Sequence, residues 1–146
     1  MIAGAAASLL STYVWGRFSD KSSRFVLIVA AIITALANSL AAFFALVFPS
    51  ALDNSLLLPV LLFVLMIAHQ GVRLGRSVHV VDMADADNRA TYTALSNSVV
   101  GLILLAAGVF GVIAQWFSIG VVLAIFTIMA ALAIISAAGL HDVQAS

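Results

Sequence analysis

The sequence Gly16-Arg17-Phe18-Ser19-Asp20-Lys21-Ser22-Ser23-Arg24 is a short polar segment between two apolar segments, and it decides how the chain is organised. It carries three of the six basic residues, whereas residues 1–15 before it and 25–48 after it contain no charged side chain. Because Lys and Arg in short loops stay on the cytoplasmic side of a membrane, this segment is predicted to be a cytoplasmic loop. It therefore sets the orientation of every apolar segment that follows.

The composition is that of an integral membrane protein. Hydrophobic residues make up 64% of the 146 residues and charged residues 8%, with a mean hydropathy of +1.23, whereas soluble domains are about 45–50% apolar. The formal net charge is zero, but all six basic residues fall within residues 17–24 and 73–89. No basic patch indicates nucleic-acid binding. Since the chain has no cysteine, disulfides and thiolate metal sites are excluded.

Five apolar segments predict an all-α fold, a polytopic transmembrane helix bundle. The predicted spans are residues 1–15, 25–48, 56–75, 90–115 and 117–140, within a single membrane domain of residues 1–146. The first is short, since 15 helical residues cover only about 22 Å of the ~30 Å hydrocarbon thickness. Because both basic segments lie inside, the N-terminus is predicted outside and the C-terminus, with the polar tail 141–146, in the cytoplasm.

Small residues predict where these helices pack. In the second span one helical stripe suits close contact with another helix; it consists of Ala30, Thr34, Asn38, Ala41 and Ala45. The glycines of the fourth span are interpreted as close packing sites, with a flexible transport helix as the alternative; they are Gly101, Gly108 and Gly111.

The Trp and Tyr residues all lie near predicted span ends. They are Tyr13, Trp15, Tyr92 and Trp116. Since these amphipathic rings favour the boundary between lipid and water, each is predicted to mark a membrane interface.

The loop also carries a family resemblance. Gly16-x-x-x-Asp20-Lys21-x-x-Arg24 resembles the cytoplasmic loop signature of the major facilitator superfamily, G-x-x-x-D-[RK]-x-G-[RK]-[RK]. Ser23 replaces the second glycine of that signature, and Phe25 replaces its last basic residue. These departures are similar to the less regular copy of the loop that such transporters have between their eighth and ninth helices. Residues 82–97 resemble the junction of the tenth and eleventh helices. The chain thus looks like helices eight to twelve.

This resemblance implies transport of a small solute by alternating access between two halves. The chain would be a C-terminal fragment, inactive alone, whose partners are the bilayer, the solute and the missing N-terminal half, with a coupling proton as a candidate. No cofactor is implied, and a bacterial inner membrane is favoured. The resemblance gives a gating role to the loop residues Gly16, Arg17, Asp20, Lys21 and Arg24. The alternative for Asp20 is a topology anchor that caps a helix.

The third span contains titratable residues at depth. His69, Arg73 and Arg76 are spaced four and three apart, so they share a helical stripe. Counted from Leu56, His69 lies ~20 Å and Arg73 ~26 Å along the helix. A charge in the bilayer core costs at least about 2.5 kcal/mol, so both residues are expected to face protein or a wet cavity.

If this span is the tenth helix, the resemblance makes three of its residues substrate-cavity candidates: His69, Gln70 and Arg73. They would contact an anionic or hydrogen-bonding solute, or relay a proton. The alternative is that Arg73 is a cytoplasmic anchor and His69 a hydrogen-bonded packing residue.

Three other functions receive less support from the residues. A metal site at His79, Asp82, Asp85 and Asp87 has suitable donor atoms, but there is no glycine-rich metal loop, and the aspartates also suit helix caps and partners for basic residues. No Ser or Asp is placed to form a hydrolase centre with His69, so no enzymatic activity is expected. A stand-alone small membrane protein with a structural or assembly role remains the alternative function.

Overall fold

The computed structural model describes the backbone of residues 2–141 and the side chains of residues 11–141. This part of the chain consists of helices joined by short loops and contains no strand. The helices are α1 (Ile2–Ser19), α2 (Ser23–Val47), a short 3₁₀ helix (Pro49–Asp53), α3 (Leu57–Met83), α4 (Arg89–Ala106), α5 (Gly108–Trp116) and α6 (Ile119–Ala138). The predicted all-α helical bundle is confirmed. The polar tail predicted at residues 141–146 lies, beyond His141, outside the described residues.

Four of the described segments are long and apolar enough to cross a membrane. They are α2, α3, the segment 89–116 that comprises α4 and α5, and α6. In a bilayer such segments must satisfy their backbone hydrogen bonds internally, which a helix does. The chain is therefore an integral membrane protein. The first predicted span forms α1, whose C-terminal half contains several hydroxyl residues and Arg17. Because α1 is not among the four, its crossing of the membrane stays a prediction.

The start of α2 is capped by a serine rather than by the predicted aspartate. Ser22 has an extended backbone, and its Oγ accepts a hydrogen bond from the Phe25 N–H at 3.1 Å, as an N-cap residue should. Asp20 instead closes α1, where its N–H donates to the Gly16 carbonyl at 3.0 Å. Asp20 is therefore not the cap of α2, which begins three residues after it, and its alternative role as a topology anchor stays a prediction.

Two helix bounds differ from the predicted spans. The third span was expected to end at residue 75, but α3 continues to Met83 and is about 40 Å long. Residues 76–83 contain neither proline nor glycine, so nothing in them stops the helix. As a result Arg76, His79 and Asp82 are helical rather than part of a loop. The fourth span is divided at Ala107 into α4 and α5.

Helix α2 is the centre of the bundle. It packs against α6 and α3, while α1 packs chiefly against α3, and α5 packs against α6. The predicted small-residue stripe of α2 faces these neighbours: Ala30, Asn38 and Ala41 are buried, and Thr34 and Ala45 are half-buried. The packing prediction for this stripe is confirmed. By contrast, α4 packs only on α3, apart from its continuation into α5, and none of its residues is buried.

The glycines that allow close packing are not the predicted ones. A Cβ atom at Gly71 would lie 2.8 Å from Trp15 Cε2, and one at Gly75 would lie 3.1 Å from Val26 Cγ1. At the three predicted glycines of α4 and α5 a Cβ would meet nothing within 4 Å; these are Gly101, Gly108 and Gly111. The packing interpretation of those three is wrong because the described part of the chain places no helix against them.

Trp15 is a core residue rather than an interface residue. Only 5% of its surface is exposed, and it forms the main buried cluster with Val26 and Ala30. Its Nε1–H donates a hydrogen bond to the Ile67 carbonyl at 2.9 Å, which satisfies the indole inside the protein. The interface prediction for Trp15 is therefore wrong. Tyr13, Tyr92 and Trp116 are exposed on the bundle.

Candidate functional site

A polar cleft lies between α1 and α4, and α3 provides most of its lining. Its volume is about 380 Å³. The residues that line it are Thr12, Gln70, Arg73, Leu74, Arg76, Ser77 and Asn97. Since α1 and α4 both pack on α3, and the described residues show no packing of α1 against α4, the cleft stays open between them. The lining combines two guanidinium groups with hydroxyl and amide groups, which suits a hydrogen-bonding solute.

Two of the three predicted cavity residues lie in this cleft. Gln70 and Arg73 both line it, whereas His69 does not and is exposed elsewhere on α3. His69 lies on the same helical stripe as Arg73 and Arg76, one turn before Arg73, so it is outside the cleft because of its position along α3. The structure thus brings Gln70 and Arg73 together with Thr12 and Asn97, and leaves His69 outside the group.

Arg76 connects α3 to α4. Its Nη1 donates to the Ser96 Oγ at 2.8 Å and to the Ser96 carbonyl at 3.3 Å, and its Nη2 donates to the Asn97 Oδ1 at 3.2 Å. These bonds hold a helix that otherwise has little packing. All three acceptors are neutral, so the Arg76 charge is hydrogen-bonded but not compensated.

Arg73 lies one turn before Arg76 and has no described hydrogen bond or ion pair among residues 11–141. Its side chain is exposed on the bundle and lines the cleft. Among the described residues, no Asp or Glu side chain lines the cleft. The electrostatic character of the cleft is therefore cationic, and one guanidinium is free to bind an acceptor.

The predicted gating residues are divided between two environments. Arg24 is half-buried, and its Nη2 donates to the Ala138 carbonyl at 2.5 Å, so it binds the C-terminal end of α6, where a cation is favoured. Arg17 Nη1 makes only a long contact, 3.5 Å, with the Tyr13 hydroxyl. Arg17, Asp20 and Lys21 are exposed. A Cβ atom added at Gly16 would meet nothing within 4 Å. The gating role stays a prediction.

One buried polar pair was missed by sequence reasoning. Ser23 Oγ and His79 Nδ1 lie 3.1 Å apart, and both residues are buried where α2 packs on α3. The sequence grouped His79 only with the nearby aspartates. Within the described residues, no three His, Asp or Glu side chains come together as a metal site would require. One feature of the sequence does indicate that His79 is buried. Gly71, Gly75 and His79 are spaced four residues apart, so they share one face of α3, and this face is buried.

Comparison with known proteins gives no further assignment: no family model matches the chain, and neither the curated proteins nor the solved structures contain a significant match.

Proposed function

We propose that this chain is part of a secondary transporter that moves a small solute across the membrane by alternating access. The observation that carries the proposal is the cleft, which Gln70 and Arg73 line from α3 and Asn97 lines from α4, two segments long and apolar enough to cross a membrane. Ionisable side chains within such segments are costly, and they usually mark a substrate or ion pathway. In this proposal the cleft is one wall of that pathway.

The loop resemblance supports placing the chain in the C-terminal half of a major facilitator superfamily transporter. On this proposal α1 corresponds to the eighth helix and α6 to the twelfth, and an N-terminal half supplies the opposite wall of the pathway. The chain has no enzymatic role, and a coupling proton is one candidate co-substrate. The membrane is a bacterial inner membrane, with the N-terminus outside and the C-terminus inside, as the basic loops favour.

The exposure of the loop residues supports a gating role within the same proposal. Asp20 and Lys21 are exposed and do not cap α2, which Ser22 caps instead. Their side chains are therefore free to contact a second half when the cytoplasmic side closes. Arg24 has a different role here, because it binds the end of α6.

The test is solute uptake into liposomes by two proteins: this chain alone, and the product of the same gene read from any coding sequence upstream of Met1. A screen of radiolabelled organic acids, amino acids and sugars would detect activity. We expect saturable uptake by a longer product and none by the chain alone, because one wall does not enclose a pathway. Uptake by neither would contradict the proposal and favour a structural role. Saturable uptake by the chain alone would indicate a complete oligomeric carrier.

A further inference from the structure

We propose that the cleft between α1 and α4 binds an oxyanion, a carboxylate or phosphoryl group, through Arg73. The inference rests on the proposed function only in treating the cleft as the solute site, and it adds the chemical class of the solute. It starts from the charges around the cleft rather than from the resemblance of the loop.

The charge balance of the cleft favours an anion. Arg73 and Arg76 both line it, and no carboxylate of the described residues does. The aspartates that the structure describes lie elsewhere, in the loops and at the end of α3: Asp20, Asp53, Asp82, Asp85 and Asp87. Two guanidinium groups that stay charged near the membrane interior are costly unless something neutralises them. Since no described side chain in the cleft does so, a bound anion is the natural counter-charge, whereas a cation would be repelled.

The two arginines have different roles in this site. Arg76 is held by Ser96 and Asn97, so its position is fixed before a ligand arrives. Arg73 has no described partner, so its planar fork of N–H donors is free to bind both oxygens of one carboxylate or phosphoryl group. In this arrangement Arg73 binds the anion directly, and Arg76 supplies a fixed positive potential.

The remaining lining limits the ligand to a small molecule or headgroup. The Ser77 hydroxyl can donate to a further oxygen, and among the described lining residues Leu74 is the one apolar side chain. The volume of about 380 Å³ is near the lower end of the range for small-molecule pockets, roughly 300–1,000 Å³. An oxyanion of this size can be a soluble acid or the headgroup of an anionic lipid, and the experiment separates these sources.

The experiment measures binding to the purified full chain in nanodiscs of phosphatidylcholine, which has no net charge. Inorganic phosphate and succinate are the soluble probes, and isothermal titration calorimetry reports their affinity. The variant is Arg73→Gln. The control is Arg89→Gln, which removes the same charge from an exposed residue outside the cleft. We expect Arg73→Gln to weaken binding at least about tenfold, since a hydrogen bond between charged groups is lost, and Arg89→Gln to leave it within about twofold.

A second arm tests the lipid source. Phosphatidylglycerol replaces part of the phosphatidylcholine, and thermal unfolding is followed by Trp fluorescence with Trp116 replaced by Phe in every variant, so that the buried Trp15 gives the signal and shows that each variant is folded. Stabilisation by phosphatidylglycerol that requires Arg73, without binding of phosphate or succinate, would support the oxyanion site and assign it to a headgroup. Absence of both effects, or equal effects in Arg73→Gln and the unaltered chain, would overturn the inference.

The experiments can contradict the oxyanion site and the transporter proposal separately. Binding by the isolated chain needs no second half and no transport. If the longer gene product transports a neutral or cationic solute while the cleft binds no oxyanion, the transporter proposal stands and this inference falls. If the cleft binds an oxyanion and no product transports any solute, the inference stands and the transporter proposal falls.

Discussion

Trp15 and Gly71 show how one pair of residues sets the distance between two helices. The indole ring of α1 lies against the backbone of α3 where Gly71 has no side chain, and its N–H binds the Ile67 carbonyl one turn earlier. A larger residue at position 71 would push the ring out of the main core cluster. Close approach at small residues is a principal source of helix association in lipid, where burial of apolar surface provides little driving force.

Gly71→Ala should therefore destabilise the bundle by about 1–3 kcal/mol, the usual cost of overpacking a filled core. The new Cβ would lie 2.8 Å from Trp15 Cε2 and 3.1 Å from the Ala30 Cβ. Unfolding by a denaturing detergent, followed by Trp fluorescence, measures the effect. Gly101→Ala is the matched control, because its Cβ would meet nothing within 4 Å. Equal losses in the two variants would show that Gly71 is not a packing site.

Two neighbouring residues before α2, Ser22 and Asp20, should contribute differently to its stability. Ser22→Ala should cost about 1 kcal/mol of unfolding free energy, because the Phe25 N–H loses its acceptor. Asp20→Ala should leave stability unchanged to within about 0.5 kcal/mol, as expected for an exposed residue without a special role. The same detergent titration compares the two variants. A larger loss in Asp20→Ala would restore the capping role to the aspartate.

At the scale of helices, α4 differs from the others in how it is held. Helix α2 is packed along a stripe of small residues, whereas α4 contributes no buried residue and is joined to α3 by the hydrogen bonds of Arg76. Helices with few buried contacts open at low free energy. The wall of the cleft formed by α4 is therefore the most easily displaced, which suits a site that must open and close.

Arg76→Met should release α4 from α3, since methionine keeps much of the side-chain length but removes the guanidinium that donates all three hydrogen bonds. Spin labels at the exposed positions Met66 of α3 and Leu105 of α4 would report the separation. We expect a distance distribution that is broader and longer in Arg76→Met than in the unaltered chain. Arg73→Met is the control, because Arg73 has no described bond to α4. An unchanged distribution in Arg76→Met would show that packing alone holds α4.

At the scale of the whole molecule, the basic segments determine the predicted orientation in the membrane. Residues 17–24 and 73–89 contain all six basic residues, and α2 and α3 separate them by two predicted crossings. The turn at residues 48–56 contains no basic residue, and its single charged residue is Asp53. The difference between the two ends of α2 favours the basic end in the cytoplasm.

Single cysteines at Lys21 and Ser55 should therefore react from opposite sides of the membrane. Both residues are exposed, and the unaltered chain has no cysteine to interfere. Ser22 is a poorer labelling position because its side chain caps α2. In intact cells an impermeant maleimide should modify Ser55→Cys and not Lys21→Cys, and permeabilisation should expose the second. Labelling of both in intact cells would contradict the predicted topology.

The sequence by itself determined that this protein is a bundle of membrane helices and where most of them lie. Long uncharged segments leave the backbone no other way to satisfy its hydrogen bonds in lipid, so α2 and α6 were predicted to within two residues at each end. The small-residue stripe of α2 was also correct, because its period of 3.6 is a local property of one helix.

The tertiary structure alone decided which side chains meet. Trp15 contacts a residue 52 positions away, and Ser23 pairs with His79 across 56 positions. No local period encodes such pairs, since they depend on which helices become neighbours and at what distance. For the same reason the sequence placed Gln70 and Arg73 on a candidate surface of α3, but only the packing of α1 and α4 around α3 assembled the cleft and left His69 outside it.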